Sequence, residues 1–212
     1  MPQDGSKFWN WMARRYAANP ISDTAGYQRT LDLIAGHLGP ESRVYEFGCG
    51  PGTTALRLAP DTASYFAVDY AERMITIAEE RAAAAPPCPS LRFAVGHAQA
   101  SGLAPASVDV AIGFNILHLL PDRPALHAEM LRILKPGGLL ITKTPCLAEA
   151  TPLLRLVLPV MRTLGFAPPA AFFTAAELAA EQRAAGFEIV QELRHGSKTP
   201  DRRIVLVARK SA

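Results

Sequence analysis

Between Val44 and Thr53 the chain reads Val44-Tyr45-Glu46-Phe47-Gly48-Cys49-Gly50-Pro51-Gly52-Thr53, with three glycines at alternating positions. Without a Cβ, Gly48, Gly50 and Gly52 allow a sharp turn and a close ligand approach. A helix starting just beyond would offer unpaired N–H groups to a carboxylate or phosphate. Two ligand patterns compete for such a loop. The dinucleotide pattern G-x-G-x-x-G, counted from Gly48, needs glycine where Thr53 stands. An acidic residue followed by glycines at two-residue steps is met in full by Glu46, Gly48, Gly50 and Gly52. Farther on, Asp69 ends the run Phe66-Ala67-Val68-Asp69. A carboxylate there can accept both hydroxyls of a ribose; it can also cap a helix starting at Ala71.

These residues need a β/α scaffold, and the sequence supplies its rhythm. Apolar runs at Val44–Phe47, Ser64–Val68, Leu91–Val95, Val108–Phe114 and Leu139–Thr144 read as strands. Val108–Phe114 is apolar enough for a strand buried on both faces. Helices are expected at 6–18, 24–38, from about Thr53, at 71–85 and at 124–134, with Lys135-Pro136-Gly137-Gly138 as a type II turn. Thr174-Ala175-Ala176-Glu177 reads as a capping box opening a helix that Gly186 ends. Phe187–Leu193 and Arg203–Ala208 read as two strands joined by a hairpin-like connection through residues 195–201. The expected fold class is α/β: a doubly wound, mostly parallel seven-stranded sheet with the last strand antiparallel.

Composition narrows the function. Hydrophobic residues at 49% and a net charge of +3 fit a globular domain without the basic stripe of a nucleic-acid binder. Cys49, Cys88 and Cys146 form no CxxC pair, and His37, His97, His118, His127 and His195 lack ligand spacing, so no metal site is expected. P-loop, zincin and nucleophile-elbow motifs are missing. No apolar signal core or spanning segment is apparent, so the expectation is a cytoplasmic protein without a membrane span, monomeric or homodimeric.

Taken together, Glu46–Gly52, Asp69, Ser107-Val108-Asp109-Val110-Ala111, Asn115-Ile116-Leu117-His118-Leu119-Leu120-Pro121-Asp122 and Leu134-Lys135-Pro136-Gly137-Gly138 resemble the successive motifs of class I S-adenosylmethionine-dependent methyltransferases. The small-molecule branch, which includes ubiquinone/menaquinone-type methyltransferases, is the most similar. The resemblance implies a Rossmann-like methyltransferase fold, S-adenosyl-L-methionine as cofactor and S-adenosyl-L-homocysteine as product. It implies that Gly48, Cys49 and Gly50 pack against the methionine part and that Glu46 orients the loop and reaches the amino group. Asp69 would hold the ribose, and Tyr70 and Met74 would flank the adenine; Met74 also reads as an ordinary inward helix residue. Gly96-His97-Ala98 falls where the family usually carries an acid for the adenine amino group; His97 can accept that hydrogen bond or be a solvated loop residue. Asn115 and Ile116 would contact the methionine moiety near the methyl.

His118 is the one titratable candidate for a catalytic base, with Asp122 either orienting it or capping the next helix. The acceptor is expected to be an apolar or aromatic small molecule, with no nucleic-acid partner. The chain reads as one methyltransferase domain over 1–212. An N-terminal helical cap (1–38) and an apolar lid region (146–173) cover the site, with Trp9, Tyr16 and Phe172 as acceptor contacts. Two other readings are a nicotinamide-dependent oxidoreductase and a non-catalytic S-adenosylmethionine-binding partner subunit.

Overall fold

The run Val108–Phe114 forms strand β4 near the middle of a seven-stranded sheet. The other strands are β1 (Arg43–Phe47), β2 (Ser64–Asp69), β3 (Leu91–Val95), β5 (Leu134–Pro145), β6 (Phe187–Leu193) and β7 (Arg203–Lys210). Their order is β3-β2-β1-β4-β5-β7-β6, with β7 antiparallel to both its neighbours and every other pair parallel. These features come from a computed structural model that describes residues 5–151, 153–163, 166–197 and 201–211. The chain leaves β1 toward β2 and later returns to β1's other side as β4. The carboxyl ends of β1 and β4 therefore lie side by side at the point where such sheets hold ligands.

Helices cover both faces: α1 (Ser6–Ala18), α2 (Thr24–Ala35), α3 (Ala55–Leu58), α4 (Glu72–Ala83), α5 (Arg123–Ile133), α6 (Leu153–Thr163) and α7 (Ala175–Ala185). Alternation along the strands splits the core into two layers. Leu140 and Leu206 join Leu126, Met130, Ile133 and Leu178 from α5 and α7. Ile141 and Val207 join Leu31 and Ile34 from α2 and Ile75 from α4. Thr174 and Glu177 form the reciprocal capping box, and Gly186 ends α7 in the left-handed region.

Of two expected features, one is met and one is corrected. Lys135–Gly138 turns as expected: Gly137, after Pro136, is left-handed at φ +77°, the glycine position of a type II turn, although strand β5 is continuous from Leu134. Val108 faces Leu134 and Val110 faces Leu139, so the extra residues bulge out of the ladder around Gly137 at φ +77°. Helix α2 ends at Ala35 rather than Leu38, because Gly36 starts a tighter turn in which His37 N–H reaches Ile34 O and Leu38 N–H reaches Ala35 O. The hairpin-like connection falls partly on residues 198–200, outside the described set. Leu164 of the apolar region lies outside it too.

Helix α6 differs from the rest in having no buried residue. Among the described residues no helix is long and apolar enough to cross a membrane, and no cluster of His, Cys, Asp and Glu is arranged to hold a metal.

Candidate active site

The buried strand β1 delivers the chain to Gly48, Gly50 and Gly52, all left-handed at φ +65°, +54° and +74°. Each glycine is needed for a different reason. A Cβ on Gly48 would lie 2.9 Å from the Ile116 side chain, and one on Gly52 would lie 2.8 Å from the Phe93 ring. At Gly50 the nearest atom is Cε1 of Tyr16, 3.9 Å away, so of the three only this glycine has room for a Cβ, and its φ is what calls for glycine. Gly50 N–H donates to Asp69 Oδ2 and Ala71 N–H donates to Asp69 Oδ1, each at 2.9 Å. Asp69 thus ties the loop after β1 to the entry of α4. Each oxygen keeps a further lone pair for a ribose hydroxyl. Burial raises the pKa of this carboxyl, and the two amide bonds pull it back.

Glu46 lies beneath the loop, 2% exposed, and accepts a 2.8 Å hydrogen bond from the Tyr65 hydroxyl. Burial pushes its pKa up to about 8; the Tyr65 bond lowers it and the Asp69 charge raises it. Cys49 is buried, with its N–H on Val68 O, and burial holds its thiol well above the ordinary range. It is an inert small residue of the loop rather than a nucleophile.

Helix α1 covers this loop. Arg81 of α4 donates to Ala17 O at 2.7 Å and to Pro51 O and Thr53 Oγ1 at 3.1 Å each, clamping the end of α1 to the loop. Arg73 N–H donates to Asn10 Oδ1. Trp9 packs edge-on against Tyr16 at 5.6 Å, and Tyr16 lies over Gly50. Withdrawal of its hydroxyl from water, then the Asp69 charge, raise the Tyr16 pKa. Tyr16 therefore stands over the glycine loop. Met74 is enclosed between α4 and α1 with Ala13, Ala71 and Ile77. The Tyr70 ring lies 6.3 Å from the exposed His97, with Ala98 buried beside it.

The other half of the site is at the ends of β4 and β5. Asn115 adopts φ +54°, uncommon without glycine, and its N–H donates to Lys143 O at 2.7 Å. The kink turns Ile116 under Gly48 and carries the chain into a short helical turn bearing His118. His118 Nδ1 lies 3.2 Å from Thr144 Oγ1, and its carbonyl accepts Ala171 N–H at 2.7 Å. Burial drops the His118 pKa to about 4. Phe172 is half-buried with the Arg155 guanidinium 5.7 Å above its ring. Asp122 accepts from Ala125 N–H and caps α5, the second of its two expected roles.

The sequence reading missed Thr144, Arg81 and Lys143. Thr144 stands beside Lys143 at the end of β5 and faces the opposite side, a polar pair in an apolar strand that signals two buried networks. Arg81 is one of many helical arginines and carried no sequence signal.

The donor set suits an adenosyl cofactor with an amino-acid tail. Asp69 offers acceptors for a diol, Gly50 leaves open backbone, and Glu46 is a carboxyl poised to ionise beside a cation. Comparison with known proteins agrees. Residues 44–138 match the family described as methyltransferase domain. The chain is 30% identical over 146 residues to a demethylmenaquinone methyltransferase of Beutenbergia cavernae, covering 66% of this chain and 57% of that one. It is 31% identical over 188 residues to a malonyl-[acyl-carrier protein] O-methyltransferase of Methylococcus capsulatus, covering 85% and 66%. The chain spans about half the length of the first curated relatives it matches. A solved S-adenosylmethionine-dependent methyltransferase from Thermotoga maritima superposes with a TM-score of 0.71 at 24% identity, covering 97% and 99%, which establishes the shared fold.

Proposed function

The chain belongs to the class I S-adenosylmethionine-dependent methyltransferases, and on that premise we propose that it methylates an apolar or aromatic small molecule. The carrying observation is the juxtaposition of the Gly50–Asp69 cradle, with Tyr16 over Gly50, and Asn115 and His118 at neighbouring strand ends. The relatives named for demethylmenaquinone and for malonyl-[acyl-carrier protein] support a small-molecule or carrier-bound acceptor.

When bound, S-adenosylmethionine supplies a methyl already activated on a sulfonium. What remains for the protein is placement and exclusion of water, and orientation can lower a barrier by roughly 7–11 kcal/mol at best. Asp69 and Gly50 fix the ribose end, and Glu46 balances the ammonium. Asn115 and Ile116 shape the wall near the methyl. His118 is neutral at physiological pH, because burial depresses its pKa to about 4. Thr144 bonds one of its ring nitrogens, leaving the other to hydrogen-bond an acceptor hydroxyl. On this reading His118 orients the acceptor, and the acceptor's proton leaves to solvent after or during attack.

The test is methyl transfer from labelled S-adenosylmethionine to phenols, quinols, fatty acids, small amines, tRNA and bulk protein. Labelling of a phenol or quinol is expected. Labelling confined to tRNA or protein contradicts the proposal, and cofactor binding with no transfer to any small molecule favours a non-catalytic partner subunit.

A further inference from the structure

Two helices at the ligand end of the sheet present apolar side chains to water. On α6, Leu153, Leu156 and Val160 are 64%, 71% and 58% exposed, with Val157 and Met161 also exposed on that face and Phe166 just beyond. Leu154 and Leu158 are the half-buried flank, and Arg155 and Arg162 occupy the remaining edge. On α1, Ala13 is buried and Trp9 and Ala17 pack toward α4, which leaves Trp11 64% exposed on the outer side. At helical spacing Trp11 neighbours Lys7, Arg14 and Arg15, all exposed.

Charge separates this surface from the rest of the molecule. Residues 5–22 carry Lys7, Arg14 and Arg15 and no carboxylate; residues 150–176 carry Arg155 and Arg162 and none. The rest of the chain is net acidic although the whole is +3. Both segments sit at the carboxyl ends of the strands: α1 lies over Gly50, and α6 follows β5 after a short turn at Leu147–Glu149. Exposed leucines, valines and a tryptophan set among cations, with Glu177 near Arg155 as a bordering acid, match the pattern of a helix lying in a bilayer interface. Helix α6 is too short to span a bilayer.

We propose that the outer faces of α1 and α6 dock the protein on an anionic phospholipid bilayer, with the mouth of the site turned toward the lipid. Apolar side chains enter the interface and the cations meet lipid phosphates. Only the corollary, that a lipid-soluble acceptor reaches the site from the bilayer, rests on the proposed methyl transfer. A nucleic acid fits less well, because it would use the cations and leave the α6 leucines in water.

The experiment is co-sedimentation of the full chain with vesicles of phosphatidylcholine alone and of an equimolar mixture of phosphatidylcholine and phosphatidylglycerol. Partitioning into the mixed vesicles is expected to exceed that into phosphatidylcholine by about tenfold or more and to fall with salt. The Leu156→Glu/Val160→Glu variant should lose about tenfold or more of it. Trp11→Ala should lose several-fold, and both should titrate S-adenosylhomocysteine like the parent. Failure of the parent to sediment with the mixed vesicles overturns the proposal. So does sedimentation that the double variant leaves unchanged, and so does a dimer in light scattering that the double variant dissolves without any vesicle binding. Methyl transfer to a water-soluble phenol without vesicles reads the proposed activity separately.

Discussion

The carboxylate of Asp69 holds the amide of Gly50 at 2.9 Å, so the residue assigned to the ribose also sets the shape of the loop that receives the methionine end. Its second oxygen holds Ala71 N–H. The helix-entry bond and the ribose role are therefore compatible: one carboxylate aligns two backbone segments and still has lone pairs facing the ligand.

Asp69→Ala is expected to lower S-adenosylhomocysteine affinity by more than its ribose contacts alone, because the Gly50 loop is released as well. Charge-assisted hydrogen bonds contribute about 1.5–3 kcal/mol each. Isothermal titration should show at least a hundredfold loss. Asp69→Asn, which keeps one acceptor oxygen, should fall between. Unchanged affinity in the alanine variant would remove Asp69 from the cofactor site.

Glu46 leads to a proton-release prediction. With its pKa near 8 the carboxyl is largely protonated at pH 7, and a cofactor ammonium beside it favours ionisation. Cofactor binding at pH 7 should therefore release protons, seen as a dependence of the calorimetric enthalpy on buffer ionisation. For folding, the native carboxyl keeps a proton that the unfolded chain loses above about 4.5, so stability falls as pH rises from there toward 8. Glu46→Gln retains an acceptor for Tyr65. It should flatten that slope, abolish the proton release and weaken cofactor binding. Binding enthalpies independent of buffer in the parent would contradict the assignment.

His118 yields an opposite sign. Its native pKa of about 4 lies below the ordinary 6.5, so the unfolded chain binds a proton that the native state refuses. Stability conferred by the neutral ring is present above 6.5 and is lost as pH falls toward 4. The rate should show no His118 inflection between pH 5 and 9. Thr144→Val, which frees the ring, should lower kcat without moving the pH profile. A profile whose acid limb near neutrality vanishes in His118→Asn would restore the general-base role.

Much of this was legible because local rules and tertiary structure agree. The glycine spacing, Asp69 at a strand end, the Thr174–Glu177 box and the buried run at Val108 each carry a backbone requirement that few residues meet. Tyr16 was less legible: helical periodicity places it on the same side as Trp9, but only the packing of α1 on α4, with the Arg81 clamp, puts it over Gly50 instead of farther along the site. The outward face of α6 was illegible for a similar reason. An apolar run reads alike whether it lines a pocket, fills a core or meets a partner.

Lys143 provides the last test. It is 6% exposed in β5, and its ammonium donates to Thr30 Oγ1 at 2.8 Å and to Gly26 O at 3.3 Å, both neutral acceptors on α2. Burial lowers its pKa to about 8, with the Arg203 charge adding to the shift and Asp201 and Asp23 opposing it. At pH 7 the folded protein thus carries a poorly compensated buried charge. The unfolded chain binds more protons between about 8 and 10.5, so stability should rise across that window. Lys143→Met removes the charge at similar length. Gly26 O keeps its bond from the Thr30 hydroxyl at 2.9 Å, and Thr30 Oγ1 keeps its contact with His195 Nδ1 at 3.0 Å, so neither acceptor is orphaned. The variant is expected to be more stable than the parent by about 1 kcal/mol at pH 7 and to lose the alkaline rise, both measured by chemical denaturation across pH. Destabilisation by more than about 2 kcal/mol would mean that the ammonium holds α2 on the sheet more strongly than its desolvation opposes it.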